Sequence, residues 1–176
     1  MAAMLSAMAG AGFAGHPSIF QFINADGTDP ATVCGTAAIA TVLANRNRIP
    51  KTLAGLQAIE KAYPADILSG ALGTSPSRIK SALRAYNLGY REVTGRAGLE
   101  SVLRTGGAAI SLIQNAPGMS GIGQGAHWFV VFGCDGNGVY VTNYNFPPFI
   151  PWGDFEVMWT GPIPTAAGMR ERVIGC

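Results

Sequence analysis

The pattern of apolar residues changes once along this chain, near Gly106-Gly107. Before that pair, apolar residues recur at intervals of three and four, which is typical of helices with one buried face. After it, short apolar runs such as AAISLIQN (108–115) alternate with turn residues, which is typical of strands. Helices followed by strands indicate an α+β fold in which helices pack on a mostly antiparallel sheet.

The helices are predicted from apolar periodicity and from proline or glycine at their ends, and Thr74 or Ser75 is predicted to cap the helix over 75–89. A short helix is predicted within 1–14, and longer ones over 33–47, 51–63, 75–89 and RAGLESVLR (96–104). A short strand, YREVTG (90–95), lies between the last two of these helices.

The strand-rich half is centred on a hairpin. HWFVVFGCDGNGVYVTN predicts two strands around the turn Asp135–Gly138, because Asp-Gly and Asn-Gly are strong hairpin signals. FPPFIPW is predicted to be extended but not central, because proline removes a ladder donor. FEVMWTGPIP (155–164) predicts a last strand, and the tail after Pro164 is expected to be loosely held.

Composition limits the classes of partner. With 176 residues and no linker or repeat, one domain is expected. A net charge of +2 without a run of Lys or Arg gives no reason to expect nucleic acid. The cysteines Cys34, Cys134 and Cys176 lack zinc-type spacing, so no metal or cofactor is expected. Free thiols in a reducing compartment are the simpler interpretation, and a Cys134–Cys176 disulfide remains open.

The N-terminal stretch MAAMLSAMAGAGFAGHP carries no charged side chain. It lacks the basic region of a secretory signal, and it is too short and too weakly apolar to span a bilayer. We therefore expect an arm or helix over 1–20, and a protein that is cytoplasmic or delivered by a leaderless secretion route. A domain cut from a longer polypeptide is the other interpretation of this stretch.

Cys34 opens the apolar helix 33–47, directly after the turn Asp29-Pro30. A thiol at a helix N-terminus lies near the positive end of the macrodipole, which favours the nucleophilic thiolate. A cysteine there can equally pack as a small buried hydrophobe. A catalytic role therefore requires a base elsewhere in the chain.

His127 is the candidate base, because it follows the glycine-rich loop 116–126 and opens the predicted strand WFVVF. Its neighbour Trp128 is predicted either to line a cleft or to pack in the core. The turn position places residue 127 opposite about residue 146, so Asn143 lies roughly three positions, or about 10 Å, along the next strand. Twist or a bulge would shorten that separation. Asn145 is a second candidate for accepting the imidazole N–H.

This order of cysteine, histidine and asparagine resembles that of papain-like cysteine peptidases, and most closely the bacterial double-glycine (bacteriocin-processing) peptidases. CGTAAIATVL resembles their Cys-Gly-Pro-Ala-Ala-Leu-x-Met-Val-Leu helix, and GAHWFVVFGCDGNGVYVTN resembles their His-containing hairpin. The resemblance implies one papain-like domain over 1–176. Its parts would be an arm (1–20), a catalytic core (21–161) and a tail (162–176), with the nucleophile helix packed on the sheet.

The resemblance also implies the roles of the site residues. Cys34 would be the nucleophile, His127 the general base and acid, and Asn143 the group that orients the imidazole. The Cys34 N–H and the side chain of Gln21, the only upstream glutamine, would form the oxyanion hole, with Asn24 as the alternative. The chain departs from the family by having Asn143 where an aspartate is usual, and Thr36 where a proline is usual.

The function implied is hydrolysis of a peptide or protein amide through a thioester, with the loop 116–126 as a lid. A bacterial effector or toxin domain is one setting for such an enzyme. The alternatives are a protein deamidase or transglutaminase of the same fold, an acyltransferase in small-molecule assembly, and an idle peptide-binding module.

Overall fold

The computed structural model describes residues 34–67, 73–114, 126–142, 148–160 and 172–176. The chain divides into two compact units, 1–89 and 90–176. The described part of the first is helical, and the second combines helices with an antiparallel sheet, so the predicted α+β class is confirmed. The narrower prediction of one papain-like domain stays a prediction. The N-terminal helix predicted within 1–14 lies outside the described residues.

The first unit contains α1 (Cys34–Asn45), α2 (Leu53–Ala62) and α3 (Pro76–Ala85). All residues of α1 except Asn45 are buried, and both α2 and α3 contact it. A helix that is apolar all round must be buried, and its alanines, glycine and threonines allow close packing. The helix that begins with the candidate nucleophile is therefore buried on all sides.

Both other helices of this unit begin at a hydroxyl cap, and of the two caps the sequence predicts the one before α3, at Thr74 or Ser75. The Thr52 hydroxyl accepts a hydrogen bond from the Gly55 N–H at 3.2 Å, and the Ser75 hydroxyl accepts one from Arg78 N–H at 3.2 Å. Asp66 accepts from both the backbone N–H and the hydroxyl of Ser75 at 2.7 Å. The segment before α3 is therefore tied to its first turn.

The second unit contains a six-stranded sheet in which every neighbouring pair is antiparallel, in the order β1-β6-β2-β3-β4-β5. Its elements are β1 (Arg91–Thr94), α4 (Gly95–Arg104), β2 (Ala109–Gln114), β3 (Ala126–Cys134), β4 (Gly138–Thr142), β5 (Phe149–Pro151), α5 (Trp152–Thr160) and β6 (Arg172–Gly175). The predicted hairpin is β3–β4, and the proline-rich segment forms β5 at the sheet edge, as expected.

Helices α4 and α5 pack on the same face of the sheet. Aromatic side chains dominate the contact of α5: the Phe155 ring meets Phe129 edge-on at a centroid distance of 6.1 Å and lies 5.0 Å from Trp159. The core between these helices and the sheet consists of Leu99, Val102, Leu103, Ala109, Ile113, Phe129, Val131, Val139, Val141, Ile150, Trp152, Phe155, Met158, Trp159 and Val173. We call this set the helix-face core.

The prediction of a last strand over 155–164 is wrong, because the described part of that stretch belongs to α5. Its buried residues, Trp152, Phe155, Met158 and Trp159, recur at intervals of three and four, whereas Val157 is 63 % exposed. That is a helical period. The run contains so many apolar residues that its helical period was not recognised in the sequence.

The prediction of a loosely held tail is also wrong for its last residues. Strand β6 lies between β1 and β2, and Val173 and Ile174 are buried. At Gly175 a side-chain Cβ would lie 2.5 Å from Val102 Cγ2, so only glycine allows this approach to α4. The C-terminal segment is therefore an interior strand of the sheet.

We expect Ile174→Ala to lower the free energy of unfolding by about 2–5 kcal/mol, because it removes buried methylenes from an interior strand. Val157→Ala, also an aliphatic truncation but at an exposed position, should change it by less than about 0.5 kcal/mol. Urea denaturation of both variants measures the difference. Equal, small effects would contradict the interior position of β6.

Candidate active site

Cys34 is the first residue of α1, as the sequence predicts, and it is only 6 % exposed. Cys34, Cys134 and Cys176 are not joined in disulfides, so the Cys134–Cys176 bond left open by the sequence is not formed. The first-turn N–H groups of a helix have no carbonyl of their own helix to bond, so they and the macrodipole favour negative charge at this position. The helix start therefore favours a thiolate or an oxyanion at Cys34, whereas the burial of its side chain opposes the charge.

His127 is the second residue of β3, and it lies directly opposite Ile113 of β2. Directly opposite residues share a face of a sheet, and Ile113 belongs to the helix-face core, so His127 lies on that face. Loss of hydration on burial lowers the pKa of His127 to about 4. At neutral pH the ring is therefore an uncharged imidazole, which has a lone pair able to accept a proton.

Trp128 follows His127 and lies opposite Leu112. It is only 5 % exposed, and successive strand residues alternate between faces, so its side chain is on the face away from His127. Of the two interpretations of Trp128, a core aromatic is the one that this placement supports.

A β-bulge lies in β3 between Val131 and Gly133. The turn pairs Cys134 with Val139, and a ladder without a bulge would continue from there to pair Val130 with residue 143. The structure instead pairs Val130 with Thr142, the last described residue of β4. At Val130 the ladder is therefore one residue away from the register extrapolated from the turn. The predicted partner of His127, near residue 146, lies outside the described residues.

Several predicted site residues lie outside the described part of the chain. They are the orienting candidates Asn143 and Asn145, the oxyanion candidates Gln21 and Asn24, and all of the predicted lid 116–126 except Ala126. Cys34 belongs to the first compact unit and His127 to the second, so the pairing of these two residues also stays a prediction.

The other thiols differ chemically from Cys34. Cys134 packs against the helix-face core, and burial together with the Glu100 carboxylate raises the pKa of its thiol. The Cys176 thiol lies 3.6 Å from the Ala108 carbonyl oxygen. Among the described residues, no group of three or more His, Cys, Asp or Glu side chains could hold a metal ion.

Sequence reasoning missed two buried polar groups on the face that carries His127. The Ser111 hydroxyl and the Trp159 indole N–H are both buried, and neither has a hydrogen-bond partner in the part of the chain that the structure describes. The signal for Ser111 was a single hydroxyl inside the apolar run AAISLIQ.

No protein-family model matches the chain, and comparison with curated proteins finds no match. The resemblance to papain-like peptidases therefore rests on the order and spacing of the residues themselves.

Acidification should destabilise the fold through His127. Its folded pKa of about 4 lies below the unfolded value of 6.5, so the unfolded chain binds the proton more readily between these values. The free energy of unfolding contributed by the neutral, buried ring is fully present above pH 6.5. It is lost as the pH falls towards 4, by about 3 kcal/mol at most. Urea denaturation from pH 7 to pH 4 should show a steeper decline for the wild type than for His127→Gln.

The comparison of wild type with His127→Gln isolates the imidazole, since the carboxylates are the same in both proteins. A wild-type profile parallel to that of His127→Gln would show that His127 is not held neutral by burial.

Proposed function

We propose that this chain is a papain-like cysteine hydrolase that acts on a peptide or protein amide. Cys34 is the nucleophile, His127 the general base and acid, and Asn143 the residue that orients the imidazole. The observation that carries the proposal is the placement of Cys34 at the start of α1 and of His127 at the start of β3. The His127 imidazole is uncharged at neutral pH, which is the form that can accept a thiol proton.

The reaction follows the usual course of thiol acyl transfer. His127 takes the Cys34 proton, and the thiolate attacks the amide carbonyl carbon while the carbonyl oxygen becomes an oxyanion. The Cys34 N–H and Gln21, or Asn24, donate to that oxyanion. His127 then gives the proton to the leaving amine, the C–N bond breaks, and a thioester remains. Water, deprotonated by His127, attacks the thioester and releases the acid and the Cys34 thiol.

Local placement supports both roles. Cys34 begins a helix that is buried along its length, so its backbone is fixed and its first-turn N–H groups are preorganised. His127 lies on a strand whose ladder to β2 runs without a break from Ala109–Val131 to Gln114–Ala126. Rigid elements of this kind hold a nucleophile and a base at fixed positions, as efficient proton transfer requires.

The bulge in β3 supports Asn143 as the orienting residue. If β4 continued for one more residue in the register of Val130–Thr142, position 143 would come opposite Phe129 and share a face with His127. Without the bulge, position 143 would be on the other face. We propose that the bulge serves this purpose, as bulges beside active sites often re-aim a side chain.

The acceptor of the thioester decides among the related activities. Water acting on a side-chain amide gives deamidation, and an amine gives transpeptidation or transglutamination. No described helix is long and apolar enough to cross a membrane. We propose a peptide or protein partner, with the protein acting in the cytoplasm or delivered as a bacterial effector or toxin by a leaderless route.

Alkylation by iodoacetamide should distinguish Cys34 from the other thiols. We expect Cys34 to react well below pH 8 because a helix start favours the thiolate, and because a thiolate paired with His127 would raise the pKa of the imidazole from its buried value. Cys134 should require a higher pH, since burial and Glu100 raise its pKa. Mass spectrometry of the alkylated tryptic peptides, over a series of pH values, measures each thiol separately.

The His127→Ala variant should lose the low-pH reactivity of Cys34 and leave the profiles of Cys134 and Cys176 unchanged. Equal reactivity of all three thiols in the wild type, or an unchanged Cys34 profile in His127→Ala, would refute the thiol–imidazole pair.

Turnover of a peptide library, followed by mass spectrometry, should identify the reaction and test the residues together. Cys34→Ala should abolish every product, and His127→Ala should lower the rate by about 10²–10⁴-fold. Asn143→Ala should slow the reaction far more than Asn145→Ala, its matched neighbour. Peptide binding that persists in Cys34→Ala, with no product from the wild type, would indicate the idle binding module instead.

A further inference from the structure

Two buried polar atoms of the second unit lie in an apolar layer. Ser111 is fully buried and Trp159 is 1 % exposed. The Ser111 Oγ and the Trp159 Nε1 have no hydrogen-bond partner among the described residues. Buried polar groups in native proteins are almost always bonded, to protein or to an ordered water, because an unbonded one keeps the full cost of its lost hydration.

The two atoms belong to the same layer, between the sheet and α5. Ser111 lies on the helix face of β2, and α5, which carries Trp159, packs against β2. Four side chains of the sheet surround Ser111. Ala109 and Ile113 flank it on β2, and Phe129 and Val173 lie directly opposite it on the two neighbouring strands. All four belong, with Trp159, to the helix-face core.

The chemistry of the two groups is complementary to one small ligand. The indole N–H only donates, and a hydroxyl both donates and accepts. A water accepts from the indole and exchanges a hydrogen bond with the hydroxyl, and buried waters typically make two to four such bonds. The other indole at the start of α5 needs no such ligand, since Trp152 Nε1 donates to the Asp135 carbonyl at 2.9 Å.

We propose that the second unit contains a built site for one water molecule, between the Ser111 hydroxyl on β2 and the Trp159 indole N–H on α5. The water joins α5 to the strand that pairs with the His127 end of β3. The site does not depend on the proposed chemistry of Cys34, so its test and the tests of that chemistry can fail separately.

A high-resolution crystal structure of the full chain provides the direct test. We expect ordered density for a single water within about 3.2 Å of both Ser111 Oγ and Trp159 Nε1. A direct Ser111–Trp159 contact, or a dry layer between the two atoms, would overturn the proposal.

Unfolding equilibria provide a second test that needs no crystal. Ser111→Ala should raise the unfolding constant about tenfold, since a bound water loses a partner. If the layer is dry, the same change removes an unbonded hydroxyl, and the constant should stay level or fall. The sign of the effect therefore decides between a hydrated and a dry layer, even if Trp159 variants do not fold.

A double-mutant cycle tests whether one water joins both groups. Ser111→Ala and Trp159→Phe should each raise the unfolding constant. In the double variant the increase should be several-fold smaller than the product of the two separate increases. The matched cycle pairs Ser111→Ala with Trp152→Phe. Trp152 lies on the same helix and in the same core as Trp159, but its indole N–H is already bonded to the Asp135 carbonyl. That cycle should be multiplicative, and multiplicative behaviour in both cycles would overturn the shared water.

Discussion

The sheet of the second unit depends on the hydrogen bonds made by Asp135. One carboxylate oxygen accepts from the Asn137 and Gly138 N–H groups at 2.7 and 3.1 Å, and the other accepts from the Tyr140 hydroxyl at 2.7 Å. Its backbone carbonyl accepts from the Trp152 indole. A single residue thus closes the hairpin turn, holds β4 and fixes the start of α5, which makes it the common anchor of three elements.

The consequences of that anchor extend along the hairpin to the candidate site. A fixed turn gives β3 and β4 one register, and the bulge after Val131 then displaces that register by one residue. Because side chains alternate with a period of two, a shift of one residue exchanges the faces of everything beyond it. The pairing of Val130 with Thr142 is therefore set jointly by the turn and the bulge.

Burial shifts the pKa values of His127 and Cys134 in opposite directions. It lowers the pKa of His127, so the imidazole is uncharged at neutral pH, and it raises the pKa of the Cys134 thiol. Cys34 differs from Cys134 because it is at a helix start rather than at a strand end. We propose that this difference in backbone setting, and not exposure, makes one cysteine of this chain a nucleophile.

The sequence by itself determined the features that depend on neighbours along the chain. The capped helices α2 and α3, the helix start at Cys34 and the turn at Asp135–Gly138 all follow from local hydrogen bonding and backbone preference. The pairing of Cys34 with His127, proposed from residue type and adjoining turns, stays a prediction. Only the tertiary structure decided the features that depend on distant partners. Strand β6 exists because β1 and β2 bond it on both sides, and α5 is helical because its aromatic residues fit the face of the sheet. The bulge in β3, which shifts the β3–β4 register by one residue between Val131 and Gly133, was not predicted, because it depends on how two strands pair and not on the local sequence of either strand.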